Sequence, residues 1–473
     1  MYWRYSLSLV FILVVSVSLA QHQELNEKPE IYKGVKIKDS DPRSLQHAFK
    51  NGSINGHFRY FFMATENEKE LTDYHAHAAG GGIRFESAPF HGFQVAVSGF
   101  YIFNLGSSGL NTKDSTTGQS NRYEIALFDV QHPFDKNDID RLEEFHIKYN
   151  HKKNSVTFGR QLINTPFINL QDGRMRPTGV NGIWWQYQAS KKIMAEAGYL
   201  YAISPRGTTR WFGIGESMGI FSTGVNVDGS SSGYAQQINS SWVALTHMKY
   251  KSNERFSASL WNIYTDRVFN AVFVELTGKK MMSKNNSLII GLQGIRQDAI
   301  SDGGNPNPSK TYIPKNGKSM VFSGKIGWKH PASELSLNYT RITRHGRYLM
   351  PREWGRDPMY TFMARERNEG LGNVHAFVVR WENSFPGSSF STTLSGGYYS
   401  LPSINDYRLN KYGMPSYFQM NLDTRYRFNG LLQGLEAQML LVGKKNEAGE
   451  IPAKNLINKV NMLHVSFLLN YHF

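Results

Sequence analysis

Six basic side chains lie at alternate positions of segments that have the two-residue periodicity of β-strands. They are Arg59, Arg84, Lys325, Arg380, Arg425 and Arg427. Each lies opposite apolar neighbours, so its side chain points away from the apolar face of its strand. An arginine binds a carboxylate through two parallel hydrogen bonds, and rows of one sign of charge select ions in pores. The pattern therefore predicts a ladder of cations that passes an anion along a wet interior.

The same pattern has a second interpretation, in which the cations balance acidic side chains of the same polar face. The candidate acids are Glu86, Glu334, Asp423 and Glu436. Most charged side chains are solvated or paired, so a polar interior needs no solute to account for its charges. Both interpretations place all six cations on the inner side of a closed sheet.

Catalytic and metal-binding patterns are weak. The chain has 15 histidines and no cysteine, and a catalytic triad is recognised by its geometry, which a sequence alone does not give. His75 and His77 share one face of a strand, but no third metal ligand is indicated. We therefore predict a protein that is not an enzyme and that has no cofactor and no metal site.

The last segment of the chain indicates what kind of structure these segments with one polar and one apolar face form. Stepping back by twos from Phe473 gives an apolar and aromatic face, whereas His464, Ser466, Asn470 and His472 lie on the other face and Leu468 is the exception. A strand with one apolar face and one polar face is typical of a membrane barrel whose interior is wet. The pattern predicts that this strand closes a transmembrane antiparallel β-barrel.

The N-terminal residues are typical of a secretory leader. A basic start precedes an apolar stretch, and small residues before Gln21 fit a cleavage site. We predict a signal peptide at residues 1–20, a periplasmic lead-in at residues 21–55 and a barrel at residues 56–473. No later apolar run reaches the roughly 18 residues that a membrane helix needs.

Eighteen segments with strand periodicity follow one another from 56–63 to 459–473. Short and long connections alternate between them, and the long ones include 204–240, 298–318 and 343–372. Bacterial barrels have an even number of strands, short periplasmic turns and long extracellular loops. The chain is therefore predicted to be all-β, with about 18 strands in one domain.

Composition agrees with an exported barrel. The formal net charge is +15 and the mean hydropathy is −0.44. Alternation of apolar and polar residues gives a barrel the mean hydropathy of a soluble protein. A basic chain can bind nucleic acid, but export makes anionic solutes and the lipopolysaccharide surface the expected partners instead.

Two parts of the sequence resemble the OprD-type substrate-specific outer-membrane porins. The matching stretches are 159–167, 172–177 with Gly182, 90–93, and 99–106. The resemblance implies a monomeric barrel of eighteen strands that is narrowed by inward loops and passes small nutrients, often carboxylates. It places an inward constriction loop at residues 164–182 and brings Arg174 and Arg176 into the predicted solute path. Arg206 and Arg210 are candidates for the entrance.

The sequence thus predicts a porin of the bacterial outer membrane for passive uptake of small, anionic solutes. Expected partners are small-molecule solutes, outer-membrane lipid and lipopolysaccharide, and the barrel-assembly machinery during insertion, without nucleic acid. Two alternatives stay open: an oligosaccharide channel, and a plugged barrel that serves as an adhesin or structural protein.

Overall fold

A computed structural model describes residues 44–137, 139–171, 173–385, 387–447 and 449–473. The predicted signal peptide, residues 1–20, and most of the predicted lead-in lie outside the described residues. In this part of the chain, none of the helices is long and apolar enough to cross a membrane.

Nineteen β-strands form a single sheet in the described part of the chain. The strands are β1 (Ser53–Glu66), β2 (Tyr74–Glu86), β3 (Phe93–Ser107), β4 (Ile139–His151), β5 (Asn154–Gln161), β6 (Gly179–Gln188), β7 (Ile193–Ser204), β8 (Phe212–Gly213), β9 (Val243–Asn253), β10 (Phe256–Thr265), β11 (Phe269–Met281), β12 (Ser287–Ala299), β13 (Lys318–His330), β14 (Ser333–Ile342), β15 (Val374–Ser384), β16 (Phe390–Ser400), β17 (Tyr417–Arg427), β18 (Leu435–Asn446) and β19 (Met462–His472). Two short α-helices are α1 (Leu45–Lys50) and α2 (Ala453–Leu456).

Every strand pairs antiparallel with its neighbours, and β1 pairs with β19 over the register from His57↔His472 to Glu66↔Leu463. This pairing closes the sheet into a barrel. The two-residue β8 adds only a short edge to β7, which itself pairs directly with β9. Eighteen strands therefore make the wall, and the predicted fold class and strand number are confirmed.

Alternation along the strands separates an inner from an outer face. In β19, Leu463 and Tyr471 are exposed on the outside, whereas His464, Ser466 and Asn470 are buried on the inside. Leu468 breaks the polar pattern because it packs in an interior apolar cluster with Met175. The parity that placed polar residues inside is thus correct, and its one exception has a packing partner.

The closing strand is fixed by its terminal aromatic residue. The backbone N–H of Phe473 donates to the carbonyl of Gly56 at 3.1 Å, and the Gly56 N–H donates back at 2.8 Å. A Cβ on Gly56 would lie 2.0 Å from the Phe473 ring, so the ring rests on the bare glycine backbone. The ring also stacks on Phe58 at 5.7 Å and on Tyr471 at 5.8 Å.

We expect Phe473→Ala to slow barrel closure and to reduce stability, because aromatic pairs contribute about 0.5–1.5 kcal/mol each. The measurement is the folded fraction, read from heat-modifiable gel mobility, across a urea titration of refolding in lipid vesicles. Leu463→Ala, on the same outer face but at the other end of β19, is the control. Equal urea midpoints for the two variants would contradict the role given to the terminal ring.

Candidate functional site: a basic constriction inside the barrel

The segment 162–178, which connects β5 with β6, folds into the interior instead of extending from the rim. Arg59 in β1 donates a hydrogen bond from its Nη1 to the carbonyl oxygen of Arg174 in this segment, at 2.7 Å. Met175 packs so close to β2 that a Cβ on Gly80 would lie 3.0 Å from its methyl group. We call 162–178 the first inward segment; Asp172 is outside the described residues.

A second inward segment, residues 343–373, connects β14 with β15. Its backbone is bound by polar side chains that point inward from strands around the wall. Four wall side chains donate hydrogen bonds to backbone carbonyl oxygens of this segment. Gln297 donates to Leu349 at 2.5 Å, Tyr399 to Thr361 at 2.8 Å, Gln419 to Ala364 at 2.8 Å, and Lys444 to Arg365 at 2.7 Å. These strands run from β12 to β18. The segment therefore follows the inner wall through much of its circumference.

Sequence reasoning missed this second inward segment, since it classified residues 343–372 as a long connection. The segment has no strand periodicity, and its destination depends on partners on distant strands. One signal was present: charged and aromatic residues alternate densely between Arg352 and Glu369. Most of these side chains are buried, including Trp354 at 0% exposure.

The two inward segments contact each other. The Asn169 N–H donates to the carbonyl of Trp354 at 3.0 Å, and Thr178 Oγ1 donates to the carbonyl of Glu353 at 3.0 Å. Arg367 Nη2 donates to Gln171 Oε1 at 3.3 Å. The interior is narrowed where these segments meet, so a solute crossing the barrel has to pass them.

Four arginines gather at this meeting point. Arg174 comes from the first inward segment, and Arg365 and Arg367 come from the second. Arg206, on which the charges of the other three act, comes from the loop that follows β7. Arg365 Nη1 lies 3.6 Å from the position that a Cβ on Gly173 would occupy. Burial, followed by the like charge of Arg365, lowers the pKa of Arg174 to about 9, which leaves it a cation at neutral pH. We call these four residues the arginine cluster.

The acids near the arginine cluster have other partners. Glu366 pairs with Lys444 at 3.1 Å, Glu369 with Arg352 at 2.6 Å, Glu124 accepts from Asn121 at 2.7 Å, and Glu353 accepts the backbone N–H groups of Gly219 and Phe221 at 3.0 and 2.9 Å. In contrast, the buried Nε of Arg174 and Nη1 of Arg206 have no acceptor among the described residues. These two buried N–H donors of the cluster therefore have no hydrogen-bond partner from the described part of the protein.

The wall cations predicted from sequence do point inward, and four of them are paired with acids. Arg84 contacts Glu144 at 2.8 Å and Glu86 at 2.6 Å. The other pairs are Lys325 with Glu334 at 2.5 Å, Arg427 with Glu436 at 2.7 Å, and Arg425 with Asp423 and Glu436, both at 3.7 Å. These contacts are the ones that the charge-balancing interpretation describes.

The remaining predicted residues hold the inward segments in place. Arg59 Nε donates to Asn470 Oδ1 at 2.7 Å, in addition to its bond to Arg174. Arg380 Nη2 donates to the carbonyl of Phe362 at 2.7 Å. Arg176 is 1% exposed and donates to the carbonyl of Thr208 at 3.0 Å. Of the eight predicted site residues, the structure brings only Arg174 into the arginine cluster.

Comparison with known proteins agrees with this geometry. The sequence profile of the outer membrane porin, OprD family, matches residues 49–367. A crystal structure of OccD3 (OpdP) from Pseudomonas aeruginosa superposes with a TM-score of 0.69 at 14% identity, covering 95% of this chain and 97% of that one. OccAB4 from Acinetobacter baumannii gives 0.68 at 13% identity, covering 93% and 100%. A comparison with curated protein sequences finds no match.

A third similar structure is that of Pseudomonas aeruginosa OpdK with vanillate, with a TM-score of 0.69 at 13% identity, covering 90% of this chain and 99% of that one. The closed barrel of eighteen strands is the fold of these structures, and the matching family model is that of porins, which are passive channels of the bacterial outer membrane and not enzymes. The chain belongs to the OprD family of outer-membrane porins. No group of three histidine, aspartate or glutamate side chains in the described ranges is arranged to hold a metal ion.

We expect Arg59→Gln to loosen the first inward segment, because hydrogen bonds made by a charged group contribute about 1.5–3 kcal/mol. The variant should give larger and noisier single-channel currents in planar bilayers, with the same folded fraction as the wild type. The double variant Lys325→Gln with Glu334→Gln is the control, since it removes an interior pair that leaves the inward segments untouched. If Arg59→Gln and the control both keep the wild-type current noise, Arg59 does not hold the segment.

Proposed function

We propose that this porin takes up small anionic solutes of the carboxylate class by passive diffusion through the arginine cluster. The observation that carries the proposal is the meeting of four arginines from three segments at the narrowed level, where nearby acids are bound elsewhere. Unused N–H donors on Arg174 and Arg206 match the oxygen atoms of a carboxylate. OpdK, whose structure contains vanillate, provides a carboxylate-bearing ligand in a protein of the same fold.

The proposed mechanism is concentration of the solute followed by rapid release. A cleft lined by one sign of charge, with low-dielectric walls, raises the local concentration of the opposite ion. Conduction also requires that a bound ion leave easily, which several weak contacts permit better than one strong site. Arg365 and Arg367 lie on the second inward segment and Arg174 on the first, so a passing anion exchanges partners between the two sides.

The predicted ladder along the wall remains part of the proposal in a reduced role. Four of its members have acidic partners, namely Arg84, Lys325, Arg425 and Arg427. The negative charge of each partner partly compensates the positive charge, so the attraction that a passing anion feels is weaker. Arg427 has a side chain that is 37% exposed near the short-turn end, which suits a weak exit contact. Arg59, Arg176 and Arg380 support the path by holding the inward segments.

A plugged barrel is the second candidate, because external loops pack together over the interior. Lys411 lies 4.7 Å from the ring of Tyr234 and 5.0 Å from that of Tyr312, which joins three loops. An oligosaccharide channel has less support, since Tyr348 and Trp354 are 0% exposed and present no surface to a sugar ring. Contact with lipopolysaccharide and insertion by the barrel-assembly machinery belong to the same proposal, as the outer-membrane location requires both.

Neutralising two members of the cluster, with Arg174→Gln and Arg365→Gln together, should move the reversal potential in a salt gradient toward cation permeability. The physical reason is the loss of two positive charges at the level where the two inward segments meet. Reversal potentials of single channels in planar bilayers measure this change.

Two control variants separate the cluster from the wall. Lys325→Gln with Glu334→Gln removes a charge pair without changing the net charge, and it should leave the reversal potential unchanged. Arg84→Gln with Arg425→Gln tests the wall ladder, and its effect should be the smaller of the two cationic pairs. A larger shift for the wall pair would mean that the ladder, and not the cluster, determines the ion selectivity. A barrel that conducts no current would favour the plugged alternative.

A further inference from the structure

Four of the short turns carry an unusual share of the positive charge. The turn regions are residues 152–153, 189–192, 251–255 and 279–286, and they contain nine lysines and arginines but only one acid, Glu254. All nine basic side chains are exposed. Their excess of eight charges is more than half of the net charge of +15. We call these four regions the basic arc.

The four regions of the basic arc are neighbours along one sector of the barrel. Its regions join β4 to β5, β6 to β7, β9 to β10, and β11 to β12, and these strands are consecutive in the wall. The other four short turns, at residues 87–92, 331–332, 385–389 and 428–434, contain no lysine or arginine. One side of the short-turn end is therefore strongly basic, whereas the nearest strand cations on the other side, Lys329 and Arg427, are paired with Glu334 and Glu436.

The cations of the basic arc lie beside the outer, lipid-facing surface. Several of them are chain neighbours of exposed apolar residues, in the pairs Lys192–Ile193, Tyr250–Lys251, Arg255–Phe256 and Lys280–Met281. One residue of strand is only about 3.3 Å long, so each charge begins where the hydrocarbon face ends. Long basic side chains at such a boundary extend their charged ends toward head groups.

Position and charge together identify the partner. Short turns of an outer-membrane barrel face the periplasm, so the basic arc lies at the level of the inner-leaflet head groups. Anionic lipids attract basic residues that lie within a Debye length of the surface, about 10 Å at 0.1 M salt. A protein that binds a polymer in the periplasm needs charges that project beyond the membrane surface. These turns are too short to project far, so their charges stay at the level of the lipid head groups.

We propose that the basic arc binds anionic phospholipids of the inner leaflet through their phosphate groups, so that one sector of the barrel retains a shell of these lipids. This inference does not depend on which solute the channel passes. The bound class is a phosphodiester lipid with a net negative head group, such as a phosphatidylglycerol.

The test measures lipid selectivity at the barrel surface. The mature chain is refolded in phosphatidylcholine vesicles that contain spin-labelled phosphatidylglycerol or spin-labelled phosphatidylcholine, and the motionally restricted fraction is read by electron spin resonance. We expect phosphatidylglycerol to be preferred by about threefold or more at low salt. The preference should fall as salt is raised, because the charges are exposed.

Two matched variants decide the origin of that preference. The first replaces Lys191, Lys192, Lys279, Lys280 and Lys284 by Gln, and the second replaces Lys69, Lys113, Lys318, Lys445 and Lys454, which are exposed at the long-loop end. The first should lose most of the selectivity and the second should keep it, with both folding to the heat-modifiable form. Equal selectivity in the two variants, or none in the wild type, would overturn the proposal.

A peptidoglycan partner is distinguished in the same series. The refolded proteins are also incubated with isolated peptidoglycan and sedimented. Sedimentation that depends on the five short-turn lysines, in a protein without phosphatidylglycerol preference, would assign the basic arc to the cell wall and overturn the lipid proposal. Sedimentation that is equal in both variants, together with lipid selectivity lost only in the first, supports it.

Discussion

The pairing of β1 with β19 is the interaction on which the rest of this structure depends. Hydrocarbon offers no partner for an unpaired strand edge, so the sheet must close on itself before it is stable in a membrane. Closure fixes which side of every strand faces inward. Polar side chains on that inner side then need partners, and they obtain them from backbone that folds into the barrel. Gln297, Tyr399 and Gln419 bind the second inward segment in this way.

The interior charges divide into two groups with different consequences. Along the wall, Arg84 pairs with Glu86 on its own strand and with Glu144 on β4, and Lys325 pairs with Glu334 on the neighbouring strand, so their charges are compensated locally. At the level where the inward segments meet, two of the four arginines, Arg174 and Arg206, have a buried N–H donor without an acceptor among the described residues. The arginine cluster lies at this level, which is where a passive channel can influence which ions pass.

Sequence periodicity predicted the wall well and the interior poorly, for physical reasons. Strand positions and the inward parity of Arg59 and Arg380 follow from a two-residue repeat that each strand carries by itself. The pairing of Arg84 with Glu144 joins positions 60 residues apart, and no local pattern encodes it. Arg365 was missed because its segment has no repeat, and its location is set by Ser466 on β19, to which Arg365 donates at 3.0 Å.

The most direct test of the central claim uses Gly173→Cys, which introduces the only thiol of a chain that has no cysteine. A Cβ at this position would meet only Arg365 Nη1 within 4 Å, at 3.6 Å, so the barrel should tolerate the substitution. Single channels are exposed to a negatively charged and to a positively charged methanethiosulfonate reagent. The account predicts faster reaction of the negative reagent and a fall in conductance once the thiol is modified. Equal reaction rates, with conductance unchanged after modification, would contradict it.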